Sequence, residues 1–215
     1  MGGMQRHLMQ GQSIVKGSQC EYIETDGACL LDIGEPLDYG QTIDCSFYVG
    51  AWPTSTNSKI WSRGDEELQI DTSRRYRGCI FYDSTNRQDF RGSAVTSTYR
   101  YGVVSMHKAA VASNNKMYYA TSSTTPFTSV SYSKTTSIVY RPTFSSPTLG
   151  NVSMFGKIDD EAAWMPSGTR IYFVKIDETK WLPWYLDGEY GLMRQDTGDF
   201  FGKSYGAGTL TGVIL

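Results

Sequence analysis

The sequence predicts an all-β protein folded as a two-sheet antiparallel sandwich, and three observations lead there. Apolar and polar residues alternate with period two in one segment after another, the pattern of strands with one face on a core. Gly, Pro, Asn, Asp and Ser punctuate the chain between those segments. No stretch keeps an i, i+3, i+4, i+7 apolar stripe for about ten residues, so no long amphipathic helix is expected. On the order of ten or more short strands in about 195 residues fit a sandwich better than a solenoid or propeller, and no internal repeat is visible.

Met1–Gly17 comes first and differs from everything after it. It holds four glycines, three methionines and three glutamines, with only Leu8, Ile14 and Val15 as aliphatic anchors. Such a segment buries too little apolar surface to offset its own ordering entropy. Residues 1–17 are therefore expected to be an assembly arm held by a partner chain or a second copy, ahead of a single domain over residues 18–215. The arm contains no apolar run of the signal-peptide kind, so synthesis in a cytoplasm is expected.

The strands follow in order. Ile43, Cys45, Phe47 and Val49 share one face of Thr42–Val49, while Thr42, Asp44, Ser46 and Tyr48 share the other. Leu68 and Ile70 alternate with Glu67, Gln69 and Asp71 in the same way. Further β-rich runs are Cys79–Tyr82, Tyr101–Met106, Lys116–Ala120, Ser137–Tyr140, Val152–Phe155, Ile171–Ile176 and Gly191–Arg194. Gln195-Asp196-Thr197-Gly198 predicts a short hairpin between Gly191–Arg194 and Asp199-Phe200-Phe201. The Ser/Thr-rich tract Ala120–Thr136 carries Phe127, Val130 and Tyr132 and reads as an edge strand and loop. One helical turn is expected at Asp159–Trp164, capped by Asp159 or Asp160.

Composition narrows the function classes. Lys and Arg number 20 against 22 Asp and Glu, a formal charge of −2, which gives no footprint for nucleic acid. Arg74-Arg75-Tyr76-Arg77 mixes basic and aromatic residues, but its acidic flank Asp65–Asp71 favours a local ion-pair or subunit contact. Aromatics at 13% and charged residues at 20% exclude a disordered chain. No run approaches 18 apolar residues, so no membrane-inserted helix is expected. Cys20, Cys29, Cys45 and Cys79 show no CxxC spacing, and His7 and His107 lie far from them, which argues against zinc. They read as reduced thiols, with Cys45 on a buried face.

Glu21-Tyr22-Ile23-Glu24-Thr25-Asp26-Gly27-Ala28-Cys29-Leu30-Leu31-Asp32-Ile33-Gly34 resembles the opening strand pair of laminin-G-like, concanavalin A-like domains found in phage and gut-bacterial proteins. Gly168–Ile176, Leu182-Pro183, Gly191–Phe201 and Gly206–Gly212 are similar, in order and spacing, to that family's last strands. The resemblance covers about residues 19–213, with the middle matching in strand rhythm alone. Cys29-Leu30 depart from the family's polar-aromatic pair, and Trp184-Tyr185 from its valine-proline-cysteine turn. What the resemblance implies is a jelly roll whose first and last strands pair side by side. The fold hosts lectins, hydrolases, adhesion modules and spacers, so function rests on the site.

Glycanases on this sandwich use acidic residues alternating along one strand, as nucleophile and acid/base. Asp65-Glu66-Glu67 and Asp159-Asp160-Glu161 are consecutive instead, and read as solvated charge. There is no Gly-x-Ser-x-Gly elbow and no phosphate-cradling glycine loop, so no enzyme and no cofactor are expected. Asp159, Asp160 and Glu161, or Asp83 with Asn86, offer hard oxygens of the kind calcium takes, but no metal site is assigned. Sugars stack on exposed aromatic rings beside polar side chains. Trp52 before Pro53, Trp164, and Trp181 in an expected turn are the candidate glycan-binding residues, while Trp61 and Trp184 read as core. The reading that follows is a bacteriophage virion structural protein, a head- or tail-attached fibre or decoration component. It would join other virion proteins through residues 1–17, form a homo-oligomer and adhere to host-surface glycans. The alternative is a bacterial secreted or surface carbohydrate-binding module, with a glycanase behind it, and a third option is a structural capsid or tail piece without ligand.

Overall fold

The computed structural model describes residues 17–36, 41–64, 66–81, 87–91, 94–95, 100–107, 116–120, 137–141 and 150–215. Along them run β1 (Ser18–Thr25), β2 (Cys29–Pro36), β3 (Thr42–Tyr48), β4 (Ser58–Arg63), β5 (Glu66–Ile70), β6 (Tyr76–Phe81), β7 (Arg87–Arg91), β8 (Tyr101–His107), β9 (Lys116–Ala120) and β10 (Ser137–Arg141). There follow β11 (Asn151–Met154), β12 (Thr169–Ile176), β13 (Thr179–Leu186), β14 (Glu189–Arg194), β15 (Phe200–Phe201), β16 (Tyr205–Gly206) and β17 (Leu210–Ile214). They form two antiparallel sheets. The larger runs β15-β14-β13-β1-β12-β3-β8-β9, with β17 on β1, and the smaller runs β10-β7-β6-β5-β4-β11-β2-β16. Among the described residues no helix is long and apolar enough to cross a membrane.

One continuous core lies between the sheets. The larger contributes Ile23, Ile43, Cys45, Phe47, Val104, Ile171 and Val174, and the smaller Leu30, Leu31, Ile60, Trp61, Leu68, Ile70 and Tyr76. Phe47 of β3 meets Tyr76 of β6 across the gap, with ring centroids 5.5 Å apart. Burial of side chains of this size stabilises by about 1.5–3 kcal/mol each. The alternation expected in β3 holds on its core side. On the other side Ser46 is buried too, because β3 is flanked by β12 and β8 and its hydroxyl donates to the Gly102 carbonyl at 3.4 Å. Gly102 stands opposite Phe47 in the β3–β8 ladder, and the Phe47 ring occupies the space a Cβ there would need.

The first and last strands do pair: Ile23, Glu24 and Thr25 stand opposite Gly212, Thr211 and Leu210. Asp26 fastens the junction, its carboxylate accepting the Ala28 N–H at 2.9 Å, the Thr209 N–H at 2.7 Å and the Thr209 hydroxyl at 3.2 Å. The hairpin expected at Gln195–Gly198 joins β14 to β15. Asp187-Gly188 link β13 to β14 with both central φ angles positive, 51° and 95°, the type I′ pattern.

Several expectations are corrected. The helical turn exists as a 3₁₀ turn at Glu161–Ala163, but Asp160 at its N-cap makes no side-chain capping bond. The Ala163 N–H reaches the Asp160 carbonyl at 3.0 Å instead, and the Thr56 hydroxyl donates to the Ala162 carbonyl at 2.8 Å. Glu66 is not solvated charge. It is fully buried, because the β4–β5 register sets it opposite Arg63, whose Nη1 lies 3.1 Å from its carboxylate. Glu67 pairs with Lys59 at 2.6 Å. In the Arg74–Arg77 run, Tyr76 is core, and the Asp71 carboxylate accepts the N–H groups of Ser73 and Arg75. The four cysteines, by contrast, are free thiols as expected, and all four are buried. The arm over residues 1–16, Asp65, Asp83, Asn86, His7 and most of the 120–136 tract lie outside the described residues.

Candidate functional site

The alternation that turns Ile23, Ile171, Phe47 and Gly102 toward the core turns their strand neighbours outward. Register then lines these neighbours up across four strands of the larger sheet. Glu24 of β1 stands opposite Arg170 of β12, Arg170 opposite Tyr48 of β3, and Tyr48 opposite Tyr101 of β8. At about 4.8 Å between strands, the row spans roughly 14 Å. Tyr22, two residues along from Glu24, extends it into a patch, and Tyr172, two along from Arg170, lies buried beneath it.

Cross-strand neighbours at this spacing interact directly. The Arg170 Nε donates to Glu24 at 2.6 Å. Its guanidinium carbon lies 4.2 Å from the Tyr22 ring centroid and 5.2 Å from that of Tyr48. Tyr48 and Tyr101 have centroids 4.7 Å apart, Tyr22 and Tyr172 5.8 Å, and Tyr101 and Tyr172 6.5 Å. Contacts of a guanidinium with aromatic faces contribute about 0.5–1 kcal/mol at exposed sites. With side-chain exposures of 30% and 27%, Arg170 and Glu24 form a screened pair of modest worth whose main effect is geometric.

Electrostatics keep these groups in fixed states. Desolvation opposes the charge on Arg170, but the bond to Glu24 and the Coulombic attraction outweigh it and raise its pKa. Desolvation also pushes the phenols of Tyr22 and Tyr172 up, so both stay protonated near neutrality. The patch thus offers the half-buried phenol rings of Tyr22, Tyr48 and Tyr101, a guanidinium held by its Nε, and one carboxylate beside it. Retaining and inverting glycosidases need two carboxyl groups across a scissile bond, and this row holds one.

The three tryptophans expected to bind glycan fall elsewhere. Trp181 sits not in a turn but inside β13, fully buried, with Arg194 over its ring at 5.5 Å and its indole nitrogen unpartnered. It leaves the ligand surface as described. Trp52 is half-buried against Tyr76, with centroids 6.2 Å apart. Trp164 is half-buried too, donating its indole N–H to the Lys157 carbonyl at 3.1 Å and filling the space over Gly156 and Gly206. The three pack against different neighbours: Tyr76, the Lys157 carbonyl and Arg194. Trp61 is core as expected, whereas Trp184 is half-buried in β13, with its indole nitrogen against Gly17. Asp159, Asp160 and Glu161 are exposed on the loop of the 3₁₀ turn. Among the described residues no group of three His, Cys, Asp or Glu side chains is spaced to hold a metal ion.

Sequence reasoning missed the tyrosine row. Its signal was present, since Tyr22, Glu24, Arg170, Tyr48 and Tyr101 hold outward positions where Ser, Thr or Lys would serve a merely wetted face. Comparison of the chain with family models, with curated proteins and with solved structures finds no match.

Proposed function

We propose that this protein is an adhesion component of a bacteriophage virion, a jelly-roll sandwich that presents the outer face of its larger sheet to host-surface glycans. The observation that carries the binding part is the row Glu24–Arg170–Tyr48–Tyr101 with Tyr22 beside it. Aromatic rings next to fixed polar groups suit the mixed apolar and hydroxyl faces of a sugar ring. The virion part is supported by the phage-like flavour of both end motifs and by an N-terminal segment poor in apolar anchors. A single shallow site of this kind binds in the millimolar range, about −4 kcal/mol. Display in many copies multiplies that by roughly 10²–10⁴ through effective concentration, which is why a homo-oligomer built through residues 1–17 belongs to the proposal.

The test uses immobilised bacterial-surface glycans probed with the oligomeric protein and with Tyr48→Ala and Tyr101→Ala variants. Binding by the parent and its loss in both variants is expected. Absence of glycan binding, or binding indifferent to both substitutions, would sink the adhesion reading. Electron microscopy of the native source checks the particle reading separately, by whether the protein sits in a virion.

A further inference from the structure

Arg170 and Glu24 are more than a surface ion pair, because each has hydrogen-bonding capacity left over. Glu24 takes the Arg170 Nε through one carboxylate oxygen, Oε2, at 2.6 Å. A guanidinium carries five N–H donors in a planar fork, so donors remain on a side chain that is 30% exposed. Glu24, 27% exposed, keeps its other oxygen as an acceptor. The rings of Tyr22 and Tyr48 pin the guanidinium plane from 4.2 and 5.2 Å, so little side-chain entropy is left to lose on binding.

We infer that Arg170 and Glu24 together read two vicinal hydroxyls of an uncharged sugar ring, while Tyr48 and Tyr101 support its C–H face. This rests on the adhesion reading above and names its ligand class. The fork donates to one or both hydroxyl oxygens, and the spare Glu24 oxygen accepts a hydroxyl proton, so the charged pair matches a group that both gives and takes hydrogen bonds. A carboxylate or phosphate fits less well. Beside the cation it also faces Glu24, and attraction and repulsion at similar distances nearly cancel while the anion still loses water. Charged sugars therefore gain no advantage here.

Ligand-observed NMR with the full chain tests this, using methyl glycosides of glucose, galactose and mannose, their mono-deoxy derivatives and methyl glucuronide at millimolar concentration. The proteins are wild type, Arg170→Lys, Glu24→Gln and Tyr48→Ala, each checked for folding by its circular-dichroism melt. At least one neutral glycoside is expected to bind, and to bind tenfold or more weakly when either vicinal hydroxyl is removed, in Arg170→Lys and in Glu24→Gln. Should Arg170→Lys unfold, Glu24→Gln decides. Glucuronide binding tighter than its neutral parent overturns the inference. Neutral binding that survives both charge-pair variants but is lost in Tyr48→Ala overturns it while leaving the adhesive face standing. No binding of any glycoside overturns the adhesive face as well.

Discussion

Glu66→Ala should be among the most damaging single substitutions outside the hydrophobic core. The Glu66 side chain is fully buried and that of Arg63 is 5% exposed, with 3.1 Å between nitrogen and oxygen. The Arg63 Nε is also committed, to the Gly150 carbonyl at 2.9 Å. Removing the carboxylate leaves a guanidinium charge buried without its counter-ion, which costs about 3–5 kcal/mol. In a chain of this size each kcal/mol moves the melting temperature by about 2–4 °C, so a fall of about 6–20 °C is expected. Glu66→Gln keeps an acceptor but not the charge and should fall between. Replacing both partners, as Arg63→Met with Glu66→Leu, removes the desolvation problem together with the attraction, and should recover most of the loss. Scanning calorimetry and urea titration compare the four proteins, and the single variants Arg63→Met and Glu66→Leu complete a double-mutant cycle. A loss below about 1 kcal/mol for Glu66→Ala, with unchanged denaturant slope, would mean that water reaches the pair and that the β4–β5 end is open.

Two further outcomes follow from the same framework. Cys45 lies in the core of β3, where desolvation raises its thiol pKa; in native buffer an aromatic disulfide reagent should leave it unmodified for far longer than in denaturant, and rapid native modification mapped to Cys45 would refute the β3 register. At Asp26 desolvation raises the carboxyl pKa, but the bonds from Ala28 and Thr209 outweigh it and hold the group below the ordinary aspartate range. Its stabilisation is therefore complete above the unfolded value of about 3.9 and is lost as pH falls through the lower folded value. The melting-temperature gap between wild type and Asp26→Ala should be constant from pH 7 to about 5 and close toward pH 2, and a gap unchanged at pH 2 would show that the carboxylate does not brace the termini.

Strands whose pattern is local were legible. Thr42–Val49 alternates cleanly, and β3 is there, with Ile43, Cys45 and Phe47 inward. What escaped notice obeys a different rule. Trp181 after Lys180 reads as a turn residue, yet β13 runs through both, and Trp181 is fully buried. Ser58–Arg63 gives no alternation because Ile60 and Trp61 are both buried, and the β4–β5 ladder shifts register between Lys59 and Trp61, so that two adjacent residues serve the core. A bulge erases the period that a sequence reading depends on. Glu66 was misread for a related reason: three consecutive acids look solvated until a partner strand sets a cation opposite one of them.

The site was harder to see because it is a property of register. Glu24, Arg170, Tyr48 and Tyr101 come from four strands separated by up to 146 positions between the ion-paired residues, and no spacing in the chain brings them together. Each is unremarkable alone: an outward tyrosine is common in sheets, and an outward Arg or Glu more so. Their alignment depends on the ladders β1–β12, β12–β3 and β3–β8, and a slip of one residue in any of them would turn that strand's share of the row into the core. The inward residues forbid such a slip. Ile23, Ile171, Phe47 and Val104 are fully buried, and exchanging them for Tyr22, Arg170, Tyr48 or Tyr101 would put phenols and a guanidinium inside the sandwich. The core that fixes the fold therefore also fixes the row on its outer face. A surface set this rigidly needs little reorganisation on binding, and conservative changes at Ile171 or Phe47 should weaken the proposed glycoside binding at Arg170 and Tyr48, measured by the same ligand-observed NMR, without touching either residue.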